Sequence, residues 1–376
     1  MELADLDRQR LQHCLALAQQ AIGLSDPNPR VGCVIGFDDT AVVATGFTQA
    51  IGAAHAEAMA LAQAQSAGID VRGATAWVSL EPCAHHGRTP PCCDALIGAG
   101  IARVVVAAAD PNPLVAGQGI ARLRAAGIRV DVADGDIARA ARELNIGFFS
   151  RMQRHRPWVR LKIAASLDGR TALDHGVSQW ITGEAARTDG HAWRKRASAV
   201  LTGIGTVLED NPRLDVRLVP TQRQPLRVIV DSRLQTPADA RLLDAPGDVL
   251  LYTATGDTTR EAALRARGAA LVPMAAAHGK VDLGAMLTDL AQRGVNELHV
   301  EAGHRLNASL LREGLVDELL VYLAPKLLGI GREMAAFGPL TTLADALDFE
   351  FTQVERIGDD LRILARPPGR AQFLDN

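Results

Sequence analysis

Three short segments carry side chains of the right types to hold one metal ion: His55-Ala56-Glu57, Pro82-Cys83 and Pro91-Cys92. One imidazole and two thiolates form a ligand set that suits zinc, and three protein ligands leave the fourth tetrahedral position open. A fourth protein ligand would make such a centre structural; an open position lets it hold the water that does chemistry. Zinc lowers the pKa of that water toward ~7. Glu57 stands two residues after His55 and is not needed as a ligand, which is where a proton carrier belongs. The constellation points to attack of hydroxide on an amidine-type carbon, with Glu57 moving the proton to the ring nitrogen and then to the departing amine. Alone, each residue would read as a core histidine or a small buried thiol; the joint pattern carries the inference. Cys93 follows Cys92 directly. Neighbours on a helix point about 100° apart, so one of the two serves, and the Pro-Cys pattern selects Cys92 and leaves Cys93 in the core.

The elements that must position these residues alternate between strand and helix. Leu11, Cys14, Leu15, Ala18 and Ile22 fall on one helical face. Residues 31–35 and 41–45 read as short strands on either side of an Asp38-Asp39 turn. A helix over 55–67 places His55 and Glu57 in its first turn. Residues 74–80 and 104–108 read as buried strands. A helix over 92–100 has Pro90 and Pro91 at its start and Gly98 and Gly100 at its end. Such alternation predicts an α/β layered sheet. Around 150–160 the texture changes: Arg151, Arg154, His155, Arg156 and Arg160 surround Pro157, which reads as a solvated interdomain linker. We therefore expect domains over 1–150 and 160–368, joined by a linker over 151–159. The second domain shows strands over 160–164, 199–202, 226–230, 249–252, 297–301 and 318–323. The strand over 297–301 meets Gly303 and a helix over 306–313, whose first backbone amides can hold a pyrophosphate. Gly203-Ile204-Gly205 allows a second close backbone approach. Neither matches the G-x-G-x-x-G fingerprint of a Rossmann site.

With 376 residues, two domains are expected. The formal net charge of −3 offers nothing to a phosphate backbone, so no nucleic-acid partner is expected. The N-terminal segment has Asp5, Asp7, Arg8 and Arg10 among its apolar residues and lacks the core of a signal peptide. No apolar run is long enough for a membrane span, about 18 residues or more. Five cysteines, three of them at 83, 92 and 93, fit metal binding in a reducing compartment rather than a disulfide framework. A cytoplasmic protein is expected.

The run Glu81-Pro82-Cys83-Ala84-His85-His86-Gly87-Arg88-Thr89-Pro90-Pro91-Cys92 closely resembles the deaminase domain of the bifunctional riboflavin-biosynthesis deaminase/reductases, as do Asp26-Pro27-Asn28-Pro29-Arg30-Val31-Gly32 and Asp110-Pro111-Asn112-Pro113. Zinc nucleobase deaminases in general space their cysteines as Cys-x-x-Cys; here they stand nine positions apart. The resemblance implies a cytidine-deaminase-like three-layer domain. It implies that His86 and Arg88, in the loop between the cysteines, bind a ribose phosphate, and that Asn28 holds the pyrimidine edge. Where the family carries Gly-x-His ahead of the zinc histidine, this chain has Gly46-Phe47-Thr48.

The segments 161–170, Ser178-Gln179-Trp180-Ile181-Thr182, Asp189 with Arg194, 206–212, Val230-Asp231-Ser232 and Val300-Glu301-Ala302-Gly303 resemble, in order, the same family's reductase domain, which is similar in fold to dihydrofolate reductase. That implies NADPH, contacted by Ala164, Trp180, Thr206, Asp210, Ser232 and the run Gly303, His304, Arg305, Leu306, Asn307, Ala308 and Ser309. It implies substrate contacts from Ser178, Arg194, Leu214, Arg217 and Glu301. The guanidinium forks of Arg194 and Arg217 suit a phosphate, and Lys162 and Asp210 are candidates for proton transfer. The implied activities are zinc-dependent deamination of 2,5-diamino-6-(5-phosphoribosylamino)pyrimidin-4(3H)-one, then NADPH-dependent reduction of the ribosyl group to ribityl. The partners are then small pyrimidine ribosyl phosphates, in a homo-oligomer (dimer or higher). Two other readings stay open: a single-activity zinc deaminase of nucleotides or RNA bases with a non-catalytic C-terminal domain, and a deaminase-fold binding module. The cysteine spacing and C-terminal motifs weigh against the first, and Glu57 against the second.

Overall fold

The structure, a computed structural model, describes residues 4–37, 42–84, 90–113 and 115–375. The Asp38-Asp39 turn and the phosphate contacts expected of His86 and Arg88 lie outside the described residues. Two compact units are present. One runs up to His155 and takes in the segment from Ala371; the other is Arg156–Arg370.

The first unit contains α1 (Asp5–Gln19), β1 (Gly32–Gly36), β2 (Val42–Phe47), α2 (Ala56–Ser66), β3 (Thr75–Val78), α3 (Cys92–Gly98), β4 (Arg103–Val106), α4 (Gln118–Ala125), β5 (Arg129–Val132), α5 (Gly135–Leu144) and α6 (Ile146–Arg154). Its sheet has the order β2-β1-β3-β4-β5. β1 is antiparallel to β2 and β3, and β3, β4 and β5 are parallel. β1 and β3 are buried along their whole length, as expected of central strands covered on both faces. Small residues bring the metal-binding helix onto the sheet. Ala56, Ala60 and Ala64 form the buried stripe of α2, and a Cβ on Gly46 of β2 would stand 2.2 Å from the Ala56 carbonyl oxygen. α1 buries Leu11, Cys14 and Ala18 together with Asp7; the Asp7 carboxylate accepts from Trp77 Nε1 at 2.7 Å and from both Arg103 Nη atoms.

The second unit contains β6 (Trp158–Ser166), β7 (Arg170–Leu173), α7 (Glu184–Arg196), β8 (Ala199–Gly203), α8 (Ile204–Asp210), β9 (Leu226–Val230), α9 (Arg241–Asp244), β10 (Val249–Thr253), α10 (Thr258–Ala266), β11 (Ala270–Pro273), α11 (Leu283–Gln292), β12 (Glu297–Val300), α12 (His304–Arg312), β13 (Glu318–Ala324), β14 (Gly331–Glu333), β15 (Glu350–Ile357) and β16 (Asp360–Arg366). The main sheet has the order β11-β10-β9-β8-β12-β6-β13-β16-β15. It is parallel from β11 to β13 and antiparallel through β16 and β15. β14 and β7 form a separate antiparallel ribbon. The core lies between the central parallel strands and α11 and α12, with Leu161, Leu201, Leu298, Leu287 and Leu310 inside.

The arginines around Pro157 are not a solvated stretch. α6 continues through Arg154, and β6 begins at Trp158. Arg151 donates to the Pro27 carbonyl at 3.0 Å, and the Arg154 guanidinium lies 4.9 Å from the centre of the Phe373 ring. Arg160 is fully interior: it bonds Glu297 at 2.8 Å and Glu318 at 2.5 Å and stacks 4.4 Å over Trp193. Burying a guanidinium requires paired carboxylates, and these come from β12 and β13, more than a hundred residues downstream.

Candidate functional site

In the first unit, β3 delivers its chain to Pro82-Cys83, α3 begins at Cys92, and His55 caps the start of α2. Among the described residues these bring His55, Cys83 and Cys92 together, with their ligand atoms all within 4.8 Å of one another. His55 Nδ1 lies 3.6 Å from Cys83 Sγ and 3.3 Å from Cys92 Sγ. Zn–S and Zn–N bonds of ordinary length at a tetrahedral angle separate such atoms by roughly 3.5 Å, so the three residues fit zinc. The Cys92 amide also donates to Cys83 Sγ. The Cys83 thiol is pulled well below its usual range, to about 4, by a hydrogen bond from Cys92 and by the His55 imidazole. Cys92, the donor of that bond, is pushed up. Cys93 points away: its Sγ meets the Pro82 carbonyl at 3.2 Å and the Gly119 carbonyl at 3.6 Å.

Glu57 is 3 % exposed and lines the same cavity as His55 and Cys83, a space of about 390 Å³. Burial, and then the charge of Cys83, push its carboxyl up to about 7. Asn28, Thr48, Asp110 and Asn112 also line this cavity. Thr48, at the family's histidine position, is occupied on the wall: its hydroxyl accepts from the Val31 amide at 3.2 Å, and its amide donates to the Val31 carbonyl at 2.9 Å.

In the second unit a cavity of about 210 Å³ opens beyond the C-terminal end of β12. It brings together Lys162, Ala164, Ser178, Thr206, Asp210, Glu301, Gly303, His304 and Asn307. Burial pulls the Lys162 ammonium down, which suits a proton donor. Burial and the neighbouring Glu209 push Asp210 up. Nucleotide fits the surroundings. α12 starts at the cavity, where its first amides have no partner within the helix, and the buried Asn307 Oδ1 lacks a partner while its Nδ2 donates to Met334 O.

The structure places the other residues elsewhere. Arg194 does not offer a free fork: it makes a bidentate pair with Glu301 through Nε and Nη2, and Nη1 donates to the Asp215 carbonyl at 3.0 Å. Burial alone would raise Glu301, yet Arg194 and His299 hold it well below the carboxylate range. Arg217 pairs with Asp215 at 2.6 Å, and Leu214 beside it is buried at φ 55°. Trp180 is exposed, with Arg187 stacked 4.6 Å over its ring. Ser232 accepts from the Val281 amide. On α12, Leu306 packs against Gly203 and the core, Ala308 is interior, Arg305 is exposed, and the Ser309 hydroxyl bonds the Arg305 carbonyl. Helical periodicity explains this: only one side of the run 303–309 can face the cavity.

Glu81, Asp110 and Arg332 are among the cavity residues with no role assigned from sequence. Glu81 and Asp110 line the first, and Arg332, paired with Glu209 at 2.6 Å, lines the second. Glu81 and Asp110 stood inside quoted motifs; Arg332 had no local signal.

Comparison with known proteins agrees with both halves. Residues 5–108 match the cytidine and deoxycytidylate deaminase zinc-binding region, and residues 157–363 match the RibD C-terminal domain. The chain is 44% identical to riboflavin biosynthesis protein RibD of Escherichia coli (strain K12), over 94% of this chain and 98% of that one. It is 39% identical to RibD of Aquifex aeolicus (strain VF5), over 96% and 98%. Among solved structures, Acinetobacter baumannii RibD superposes with a TM-score of 0.86 at 40% identity, covering 96% and 99% of the two chains. The Thermotoga maritima diaminohydroxyphosphoribosylaminopyrimidine deaminase/5-amino-6-(5-phosphoribosylamino)uracil reductase gives 0.85 at 32% identity, covering 96% and 99%. With a zinc triad beside a buried glutamate in one unit and a nucleotide cavity in the other, the chain belongs to the RibD family of riboflavin-biosynthesis proteins, bifunctional enzymes with a zinc-dependent deaminase domain followed by an NADPH-dependent reductase domain.

Proposed function

We propose that the first unit deaminates 2,5-diamino-6-(5-phosphoribosylamino)pyrimidin-4(3H)-one and that the second reduces the resulting 5-amino-6-(5-phosphoribosylamino)uracil to its ribityl form. The observation that carries this reading is the clustering of His55, Cys83 and Cys92 with Glu57 on one cavity. Bound there, zinc supplies a water acidified toward a pKa of ~7. Glu57 would take the water proton at its carboxylate and deliver it to the ring nitrogen, then take the proton of the newly added hydroxyl and deliver it to the leaving amine, which departs as ammonia. Glu57 lines the same cavity as the metal ligands, within reach of a group that gives up or takes a proton there. Asn28 orients the pyrimidine edge, and the loop carrying His86 and Arg88 takes the phosphate.

In the second unit bound NADPH would supply the hydride needed to reduce the opened ribosyl carbon. Lys162 and Asp210 carry the matching proton, and Glu301, fixed by Arg194, orients the sugar hydroxyls. Arg217 remains the candidate for the phosphate, since 45% of its side chain is exposed and Arg194 is occupied. The two activities divide between the two compact units, which meet in the chain at His155 and Arg156 rather than across a linker over 151–159.

We place the enzyme in the cytoplasm: all five cysteines are free, and among the described residues no helix is long and apolar enough to cross a membrane. A homo-oligomer is supported by the outer strand β15, where Phe351 and Val354 are exposed. An exposed apolar edge strand invites pairing with another chain.

One incubation tests both activities. The purified full chain receives the diaminopyrimidine phosphate and NADPH, and ammonia release is followed with the near-ultraviolet absorbance of the reduced nicotinamide. Both signals are expected, with about one zinc per chain. Ammonia without NADPH oxidation would leave the single-activity deaminase; no ammonia from zinc-replete protein would overturn the deaminase assignment.

A further inference from the structure

Glu81 has the features of a built clamp. It stands three residues beyond the end of β3, is 3 % exposed, and comes two residues before the ligand Cys83. Its side chain binds three backbone amides of one downstream stretch. Oε2 accepts from Asp110 N at 3.2 Å and Gly117 N at 3.0 Å, and Oε1 accepts from Ile120 N at 3.1 Å. Its own amide donates to Ala108 O at 2.9 Å. The stretch it grips supplies Asp110, Asn112 and Val115 to the deaminase cavity wall. The next residue, Pro82, presses on the same stretch beside it: a Cβ on Gly119 would stand 2.0 Å from the Pro82 carbonyl oxygen and 3.1 Å from Glu81 Oε1.

We propose that Glu81 is a positioning residue for the deaminase: it fixes the wall formed by Asp110, Asn112 and Val115, which faces the substrate, against the Pro82-Cys83 segment, which carries a metal ligand. It does so without touching the reacting atoms. A carboxylate is required because only an acceptor at both oxygens meets three converging N–H groups. Hydrogen bonds to charged groups are the stronger ones, so their loss loosens the wall rather than the metal. This rests on the deaminase reading above.

The test uses the full chain as Glu81→Gln, Glu81→Ala and Gly119→Ala. Zinc content, reductase activity on the already deaminated substrate, and KM and kcat for ammonia release are measured. Glu81→Gln presents an NH2 to one of the amides and should raise KM about tenfold per zinc-loaded site, with kcat changed about threefold at most. Glu81→Ala should raise it further. Gly119→Ala, whose added Cβ crowds the Pro82 carbonyl and the Glu81 side chain and so forces the same two segments apart without removing the carboxylate, should reproduce the KM effect. Reductase rates should stay at the wild-type value. If Glu81→Ala fails to fold, seen as lost reductase activity as well, Glu81→Gln and Gly119→Ala decide. Unchanged KM in those two, or activity that falls only in step with zinc content, overturns the proposal. Absence of ammonia release from the wild-type protein would instead defeat the deaminase reading itself.

Discussion

Replacing Arg194 with alanine should damage the fold of the reductase unit before it damages substrate binding. Arg194 and Glu301 are mostly buried partners, with side chains 13% and 16% exposed. The pair is bidentate, and Arg194 also holds the Asp215 carbonyl. Removing one partner of a buried pair strands the other charge and costs about 3–5 kcal/mol. Here Lys162 lies near enough to favour the charged form of Glu301, and His299 Nε2 is 3.3 Å from it, so the lower end, about 3 kcal/mol, applies. That is a factor of more than about a hundred in the folding equilibrium. Urea unfolding followed by tryptophan fluorescence reads this unit well, because three of the four tryptophans, Trp158, Trp180 and Trp193, belong to it. A cycle with Glu301→Gln should return a coupling of about 2 kcal/mol. The pH dependence has a defined sign. Glu301 sits below its ordinary value, so its contribution is present above the unfolded pKa of about 4.5 and is lost as pH falls through the folded pKa. The deficit of Arg194→Ala should therefore be largest near neutrality and shrink on acidification. Stability within about 0.5 kcal/mol of wild type, zero coupling to Glu301 and a raised KM for the reductase substrate would together refute this reasoning. They would return Arg194 to the phosphate.

Glu57→Gln should keep zinc and lower ammonia release by about 10²–10⁴; loss of zinc in parallel would show that Glu57 helps to hold the metal. Cys92→Ser should lose zinc by metal analysis while Cys93→Ser keeps it, because Cys93 is turned onto the Pro82 and Gly119 carbonyls. His191 is held down to about 4 by burial and by Arg194 and Arg217, and its Nδ1 accepts from the Arg217 amide. Between its ordinary value of about 6.5 and that folded value the unfolded chain binds the extra proton, so stability should fall as pH drops through this window. His191→Gln should flatten that part of the urea-midpoint profile, and an unchanged profile would remove His191 as its cause.

The deaminase site was legible because two of its three ligands sit at helix starts, where sequence signals are local. His55 immediately precedes α2, and Cys92 opens α3 after two prolines. What local reading missed there is carried by backbone amides. Glu81 stood within the quoted motif, yet its partners at 110, 117 and 120 are amides, which leave no residue-type pattern to detect. Thr48 is a related case. Its place in the sequence marks a departure from the family, but only the fold shows that its hydroxyl and amide tie down Val31.

The reductase site was less legible because its charges are paired across the sheet rather than along the chain. Arg194 on α7 and Glu301 after β12 are separated by 107 positions and meet because β12 lies between β8 and β6. The same sheet order buries Arg160 of β6 between Glu297 of β12 and Glu318 of β13, turning an apparent linker arginine into a core residue. A guanidinium reads identically in sequence whether it awaits a phosphate or neutralises a buried carboxylate. Desolvation decides between the two: a buried carboxylate at position 301 demands a fixed cation, and Arg194 is the one that the topology delivers. On the proposed reading, phosphate recognition falls to groups more open to solvent, which is why Arg217, 45% exposed, rather than Arg194 is the cation to test against it.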